Sequence, residues 1–159
     1  MTKQTWFTAD NHFGHKNIIK HCNRPFKNLK EMDKQLITNW NKTVNKNDTV
    51  IILGDFSYKS NPNKYINKLN GHKIFILGNH DNPKQLYTNI IGLSIQQKGI
   101  KIWCTHDPKD IEPKYELNLC GHIHNKWKIQ KEENTITINV GIDLWDFRPI
   151  NITDIMGIL

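Results

Sequence analysis

Thr49-Val50-Ile51-Ile52-Leu53-Gly54-Asp55 (residues 49–55) decides the architecture. A β-branched, apolar run ends at a Gly-Asp pair, the pattern of a strand buried on both faces that runs into a turn. Upstream, Leu29, Met32, Leu36, Ile37, Trp40 and Val44 recur at helical spacing, and Asn28 with Glu31 resembles a capping box. That helix should pack one face on a sheet. Before it come a strand near residues 5–9 and a short helix near Lys16 to His21. Downstream, Asn61-Pro62 opens a helix through Tyr65, Ile66 and Leu69 that stops near Gly71, and Lys73 to Leu77 is the next strand. This β-α-β-α-β order predicts parallel pairing with right-handed crossovers.

The second half changes character. Strand-like stretches near 93–97, 100–105, 115–120, 127–131 and 135–140 are joined by short turns such as Lys98-Gly99, and mostly antiparallel pairing is expected. Glu132-Glu133-Asn134 reads as a hairpin turn, Pro149 restricts the next strand to an edge or a strand start, and the tail from Thr153 reads as a last helical turn. No repeat, linker or low-complexity segment marks a boundary, so residues 1–159 are expected to form one domain of the α/β (α+β) class. Two mixed β-sheets would pack face to face with helices outside, as a four-layer αββα sandwich.

Composition excludes several functions. With 37% hydrophobic and 23% charged residues the chain is not disordered. No apolar run approaches the roughly 18 residues needed to span a bilayer, and Met1 leads almost directly into strand-like Thr5-Trp6-Phe7-Thr8, so neither membrane insertion nor a signal peptide is expected. Cys22, Cys104 and Cys120 are an odd set without a C-x-x-C pair, which fits a reducing compartment and a cytoplasmic location. The formal charge of +7 suggests an anionic partner, yet Arg24 and Arg148 are the only arginines and the lysines are spread along the chain. Without a basic stripe with interleaved aromatics, a solvated lysine coat is the better reading and nucleic acid is weakly supported.

Histidine carries the chemical signal. Five of the eight histidines stand in short motifs at the downstream ends of strands, four of them beside Asp or Asn: Asp10-Asn11-His12, Gly78-Asn79-His80-Asp81, Thr105-His106-Asp107 and Gly121-His122-Ile123-His124, with Gly54-Asp55 as a fifth element. In open α/β sheets such ends converge on one crevice. Asp10 and His12 are two apart, which in extended chain puts both side chains on one side, and His122 and His124 repeat the spacing. Each element alone is weak evidence; five after five strands point to a metal centre. Oxygen and nitrogen donors without thiolate suit two divalent ions, with manganese preferred and iron, nickel, cobalt or zinc as alternatives. A pair of ions activates water and stabilises both oxygens of a phosphoryl transfer.

The ordered set D-x-H, G-D, G-N-H-D, H and G-H-x-H closely resembles the signature of the calcineurin-like metallophosphoesterase superfamily, and DNHFGHKNII with NVGIDLWDFRPI looks like its small, cap-less bacterial and phage branch. The resemblance implies one metal held by Asp10, His12, Asp55 and His124 and a second by Asp55, Asn79, His106 and His122, with Asp55 bridging and a shared hydroxide as nucleophile. It implies His80 as general acid, with Asp81 orienting its imidazole. The implied function is metal-dependent phosphoester hydrolysis, and the missing cap with an open, basic crevice favours a phosphodiesterase acting on a nucleotide or another small phosphate ester. A phosphomonoesterase, a non-catalytic metal-binding scaffold and a nuclease are the alternatives.

Other residues are candidates for substrate binding. His15 and Asn17 follow the first motif closely enough to reach phosphate, or cap the helix near Lys16. Arg24 and Arg148 have the donor fork for phosphate, with a salt bridge as the simpler role. Asn125 follows the last motif. Phe13, Phe56, Tyr58, Trp127, Trp145 and Phe147 flank motif loops as stacking or core residues, whereas His21 and His72 read as structural. Phe56-Ser57-Tyr58-Lys59 after G-D lacks the further Asp, Asn or Arg of the protein phosphatases, which speaks against that activity. The intact His80 speaks for an active enzyme.

Overall fold

The computed structural model describes residues 2–159. The first half contains β1 (Thr5–Thr8), α1 (Ile18–His21), α2 (Leu29–Thr43), β2 (Thr49–Leu53), α3 (Asn63–Ile66), β3 (His72–Ile76) and α4 (Pro83–Leu86). The second half adds β4 (Gly92–Gln97), β5 (Ile100–Thr105), β6 (Leu117–Cys120), β7 (Ile129–Glu132), β8 (Thr135–Asn139), β9 (Ile150–Asn151) and α5 (Ile152–Met156).

The run from Val50 to Leu53 is buried throughout because both faces of β2 are covered. Val50 and Ile52 meet Met32, Leu36 and Trp40 of α2, whereas Ile51 and Leu53 meet Ile102, Cys104, Leu119 and Ile138 of the second sheet. Burying each large apolar side chain contributes about 1.5–3 kcal/mol, so this strand is the spine of both core layers. It pairs in parallel with β1 and β3, and β9 closes the far edge antiparallel, giving the order β3-β2-β1-β9. Pro149 therefore precedes a two-residue edge strand, as its missing N–H requires. At α2 the Asn28 side chain accepts from Glu31 N, but the Glu31 carboxylate accepts from Lys27 N instead of completing a box on Asn28.

The second sheet has the order β4-β5-β6-β8-β7 and is evenly mixed. β4 with β5 and β7 with β8 are antiparallel, whereas β5 with β6 and β6 with β8 are parallel. The expectation of mostly antiparallel pairing is therefore corrected. The crossover from β5 to β6 carries only the 3-10 turn Pro108–Asp110, too little helix for its sequence to announce a parallel connection. Trp103 Nε1 donates to the Asp110 carbonyl at 3.0 Å and Asn118 Oδ1 accepts from Glu112 N at 3.0 Å, pinning this crossover. Two mixed sheets with their helices thus make the expected α/β fold. No helix among the described residues is long and apolar enough to cross a membrane.

Candidate metal centre

The polar motifs sit just beyond β1, β2, β3, β5 and β6, and the chain leaves the strands with a sharp twist. Asp10, His12, Asp55, His122 and His124 all have positive φ, between 50° and 72°. The paired side chains converge through left-handed backbone, not through the extended alternation that their spacing suggested. Asp and His are among the non-glycine residues that tolerate this region, and surrounding hydrogen bonds hold them there. Asp10 N donates to Gly54 O at 3.1 Å and His12 N to Asp55 O at 3.0 Å, so the first two loops continue the sheet ladder. Glycine is required where the loops touch: a Cβ on Gly54 would lie 2.3 Å from His106 Nδ1, and one on Gly78 would lie 2.2 Å from Asp55 Oδ1.

Three groups of side chains result. Asp10, His12 and His124 each place a ligand atom within 4.8 Å of the others, and so do Asp10, Asp55 and His106, and Cys22, His124 and Asp143. Asp55 Oδ2 joins the first two, 3.4 Å from His12 Nε2 and 3.6 Å from His106 Nε2. Next to it, Asn79 Oδ1 is 3.1 Å from both His106 Nε2 and His122 Nδ1, and those two nitrogens are 3.3 Å apart. The outer ring atoms explain which protons are where. His106 Nδ1 is 2.8 Å from the Leu53 carbonyl, which only a protonated Nδ1 satisfies, so Nε2 presents a lone pair in the neutral ring. His122 turns Nδ1 inward, and its Nε2 lies 3.7 Å from Asp107 Oδ2, beyond hydrogen-bond distance.

Electrostatics favour neutral imidazoles at His12 and His122. Burial, reinforced by the neighbouring His124 and Arg24, drives the His12 pKa far below its ordinary value, and His12 Nε2 is a buried nitrogen without a hydrogen-bond partner. Burial lowers His122 as well. Burial pushes the Asp10 carboxyl up to about 6, against the pull of His124 and His106, and its two oxygens accept from His122 N at 3.1 and 2.9 Å. His124 is raised to about 10: burial opposes its charge, but the Asp143 carboxylate 3.2 Å from Nδ1, with Cys22 and the Asp10 carboxylate, together outweighs it. A buried carboxyl that resists ionising and an orphaned imidazole nitrogen are the features a divalent cation resolves, and the oxygen and nitrogen donors fit one. The Asp and His groups together could hold metal.

Three expectations about flanking residues are corrected. Asp81 does not meet the His80 ring. Its Oδ2 accepts from Asp55 N at 2.7 Å and Gly78 N at 2.9 Å, and its Oδ1 from Phe56 N at 3.0 Å, so it staples the G-D loop. Arg24 is no phosphate clamp, because it is buried and forks onto Asp143 while Nη1 and Nη2 donate to the carbonyls of Asn11 and Asp10. Arg148 is spent on Asp154 Oδ1, 3.3 Å away, and on the Pro149 carbonyl. Asp143, which joins Arg24 to His124, was missed as a site residue; it lies in the NVGIDLWDFRPI stretch, a turn with no motif of its own.

A cleft of about 490 Å³ opens over these groups, lined among others by His12, His15, Tyr58, His80, His124 and Asn125. His80 is exposed there, with Nε2 3.9 Å from Asp55 Oδ2 and its backbone N–H bound by Asp55 Oδ1. His15 stacks on Tyr58, ring centroids 3.9 Å apart, and Tyr58 meets His80 edge-on at 5.2 Å. Asn17 lines the cleft and makes no side-chain cap on α1, and His21, read as structural, lines it too. Of the six aromatics considered, Tyr58 lines the cleft; Phe13, Phe56 and Trp145 are buried core.

The comparisons agree with this geometry. The calcineurin-like phosphoesterase family model matches residues 3–145. The chain is 34% identical to the uncharacterized protein MJ1445 of Methanocaldococcus jannaschii, with 99% of this chain and 92% of that one covered. The crystal structure of AQ665 from Aquifex aeolicus, of unknown function, superposes with a TM-score of 0.78 at 26% identity, covering 99% of this chain and 100% of that one. YfcE, a phosphoesterase from E. coli, shares the fold at a TM-score of 0.51 and 17% identity, over 86% of this chain and 78% of its own.

Proposed function

The chain belongs to the calcineurin-like phosphoesterase family, and we propose that it hydrolyses small phosphodiesters, of nucleotide type, with two divalent ions. The carrying observation is the convergence of Asn79 Oδ1, His106 Nε2 and His122 Nδ1 at 3.1 to 3.3 Å from one another, with Asp55 Oδ2 3.6 Å from the same His106 nitrogen. An oxygen and nitrogen donor set gathered so closely suits a divalent cation. Asp55, Asn79, His106 and His122 would hold one ion, and Asp10, His12, Asp55 and His124 the other, with manganese our first choice. When bound, such ions supply Lewis-acid neutralisation of phosphoryl charge and acidify water.

The chain's own residues do the rest. Asp143 and the Leu53 carbonyl fix the tautomers of His124 and His106, and Asp81 holds the Asp55 loop in place. His80 stands in the open cleft beside Asp55, outside the group of inward acceptors, so its imidazole is free to give a proton to the departing oxygen as the P–O bond breaks. The cleft is uncapped and carboxylate-poor, which accommodates a diester with substituents on two sides of phosphorus.

Parallel assays on bis-p-nitrophenyl phosphate and p-nitrophenyl phosphate with added manganese test the reading. We expect metal-dependent turnover, faster on the diester. Faster turnover of the monoester would make the protein a phosphomonoesterase, and absence of hydrolysis over a broad ester panel would make it a metal-binding scaffold.

A further inference from the structure

His80 borders a second space as well. A polar pocket of about 330 Å³ shares it with the cleft and is walled by the loop after β2, with Ser57, Lys59 and Asn61, and by the start of α4, with Asn82 and Gln85. We propose that this pocket binds the leaving group and that this group is a sugar phosphate. The inference rests on the phosphodiesterase reading above, in which the departing oxygen is the one His80 protonates.

The chemistry of the walls carries it. No Asp or Glu lines the pocket; of its side chains Ser60 is bonded to Tyr65, whereas Lys59, Asn61, Asn82 and Gln85 keep donors available. Asn61 Oδ1 accepts from Asn63 N and Asn82 Oδ1 from Lys84 N, both at 3.0 Å, which turns each amide NH₂ into the uncommitted end of its side chain. Lys59 has no acidic partner among the described residues; its Nζ stands 5.3 Å over the Tyr58 ring, the same ring that meets His80 edge-on. Gln85 is exposed at the mouth with its amide free among the described residues. One cation and several neutral donors without a competing carboxylate select a ligand that offers acceptor oxygens and negative charge. An alkyl or aryl leaving group would bury these donors unpaired, at a cost a sugar phosphate avoids.

Side-chain amide NMR of the zinc-loaded, diamagnetic protein tests this apart from turnover. Ribose 5-phosphate is expected to shift the Asn82 and Gln85 amide signals saturably, and K59M and Q85L are each expected to weaken that binding at least fivefold. Both positions are exposed, so either variant alone suffices if the other folds poorly. Shifts confined to the Asn125 amide, or unchanged affinity in both variants, overturn the pocket. Bis-p-nitrophenyl phosphate hydrolysis is read on the same samples. Hydrolysis without Asn82 and Gln85 shifts removes the pocket and spares the enzyme; shifts without hydrolysis remove the phosphodiesterase and leave a sugar-phosphate binding site.

Discussion

Arg24 grips Asp143 across 119 residues of sequence, with Nε 2.8 Å from Oδ1 and Nη2 3.0 Å from Oδ2. Both side chains are almost fully buried. The pair is one end of a relay: Asp143 also holds His124, while the remaining Arg24 donors hold the Asp10 and Asn11 carbonyls. Arg24 therefore supports the metal-facing loops from beneath.

Removing one partner of such a pair leaves a buried charge uncompensated. R24M is expected to destabilise the fold by about 3–5 kcal/mol in urea unfolding. R24K restores charge but not the fork, and should recover less than half of that loss. A stability change below 1 kcal/mol in R24M would show that the relay is dispensable.

His80 acts at the departing oxygen in the proposed mechanism and holds no metal. H80A should keep wild-type metal content by elemental analysis while kcat falls by roughly 10²–10⁴-fold on diesters with poor leaving groups. On p-nitrophenyl esters, whose leaving group needs no proton, the loss should be much smaller. An equal loss on both would remove the general-acid role.

Asp81 accepts three backbone N–H groups and should act through the loop. D81A is expected to lower stability by about 1–3 kcal/mol for the donors it leaves unpaired. The metal concentration for half-maximal activity should rise, since Asp55 is what the loop positions. The pH–rate limb assigned to His80 should stay in place, whereas a shift of that limb would restore the expected Asp81–His80 dyad.

Asp10 gives a stability term with a definite sign. Burial raises its carboxyl from 3.8 to about 6 in the metal-free fold. The folded state therefore binds its proton more tightly than the unfolded chain. That contribution is fully present below about pH 4 and is lost as pH rises through 6. Relative to metal-free D10N, whose amide oxygen still accepts from His122 N, the metal-free wild type should lose roughly 2 kcal/mol between pH 4 and pH 7. Urea titrations of both proteins across that window check it. Metal addition should reverse the trend in the wild type, because the ion takes the place of the proton.

Much of the fold was legible because the first half obeys local rules. The β-branched run at residues 49–53, the helical spacing from Leu29 to Val44 and the punctuation at Pro62, Gly71 and Pro149 each express a backbone preference within a few residues. Pairing in the second sheet was less legible. Whether β5 meets β6 parallel depends on an eleven-residue connection (106–116) that crosses the sheet face with little helix, so no periodicity marks its direction.

By itself the sequence determined the donor inventory, the strands that carry it and the order in which they come, since residue type and spacing act locally. Tertiary structure decided which polar groups face the cleft and which are consumed behind it. Asp81, Arg24 and Arg148 carry functional groups suited to an active site, yet their partners are amides, carbonyls and carboxylates brought near by packing. A buried ionic or hydrogen-bonding group must be satisfied by whatever the fold places beside it, and that neighbour lies outside any sequence window.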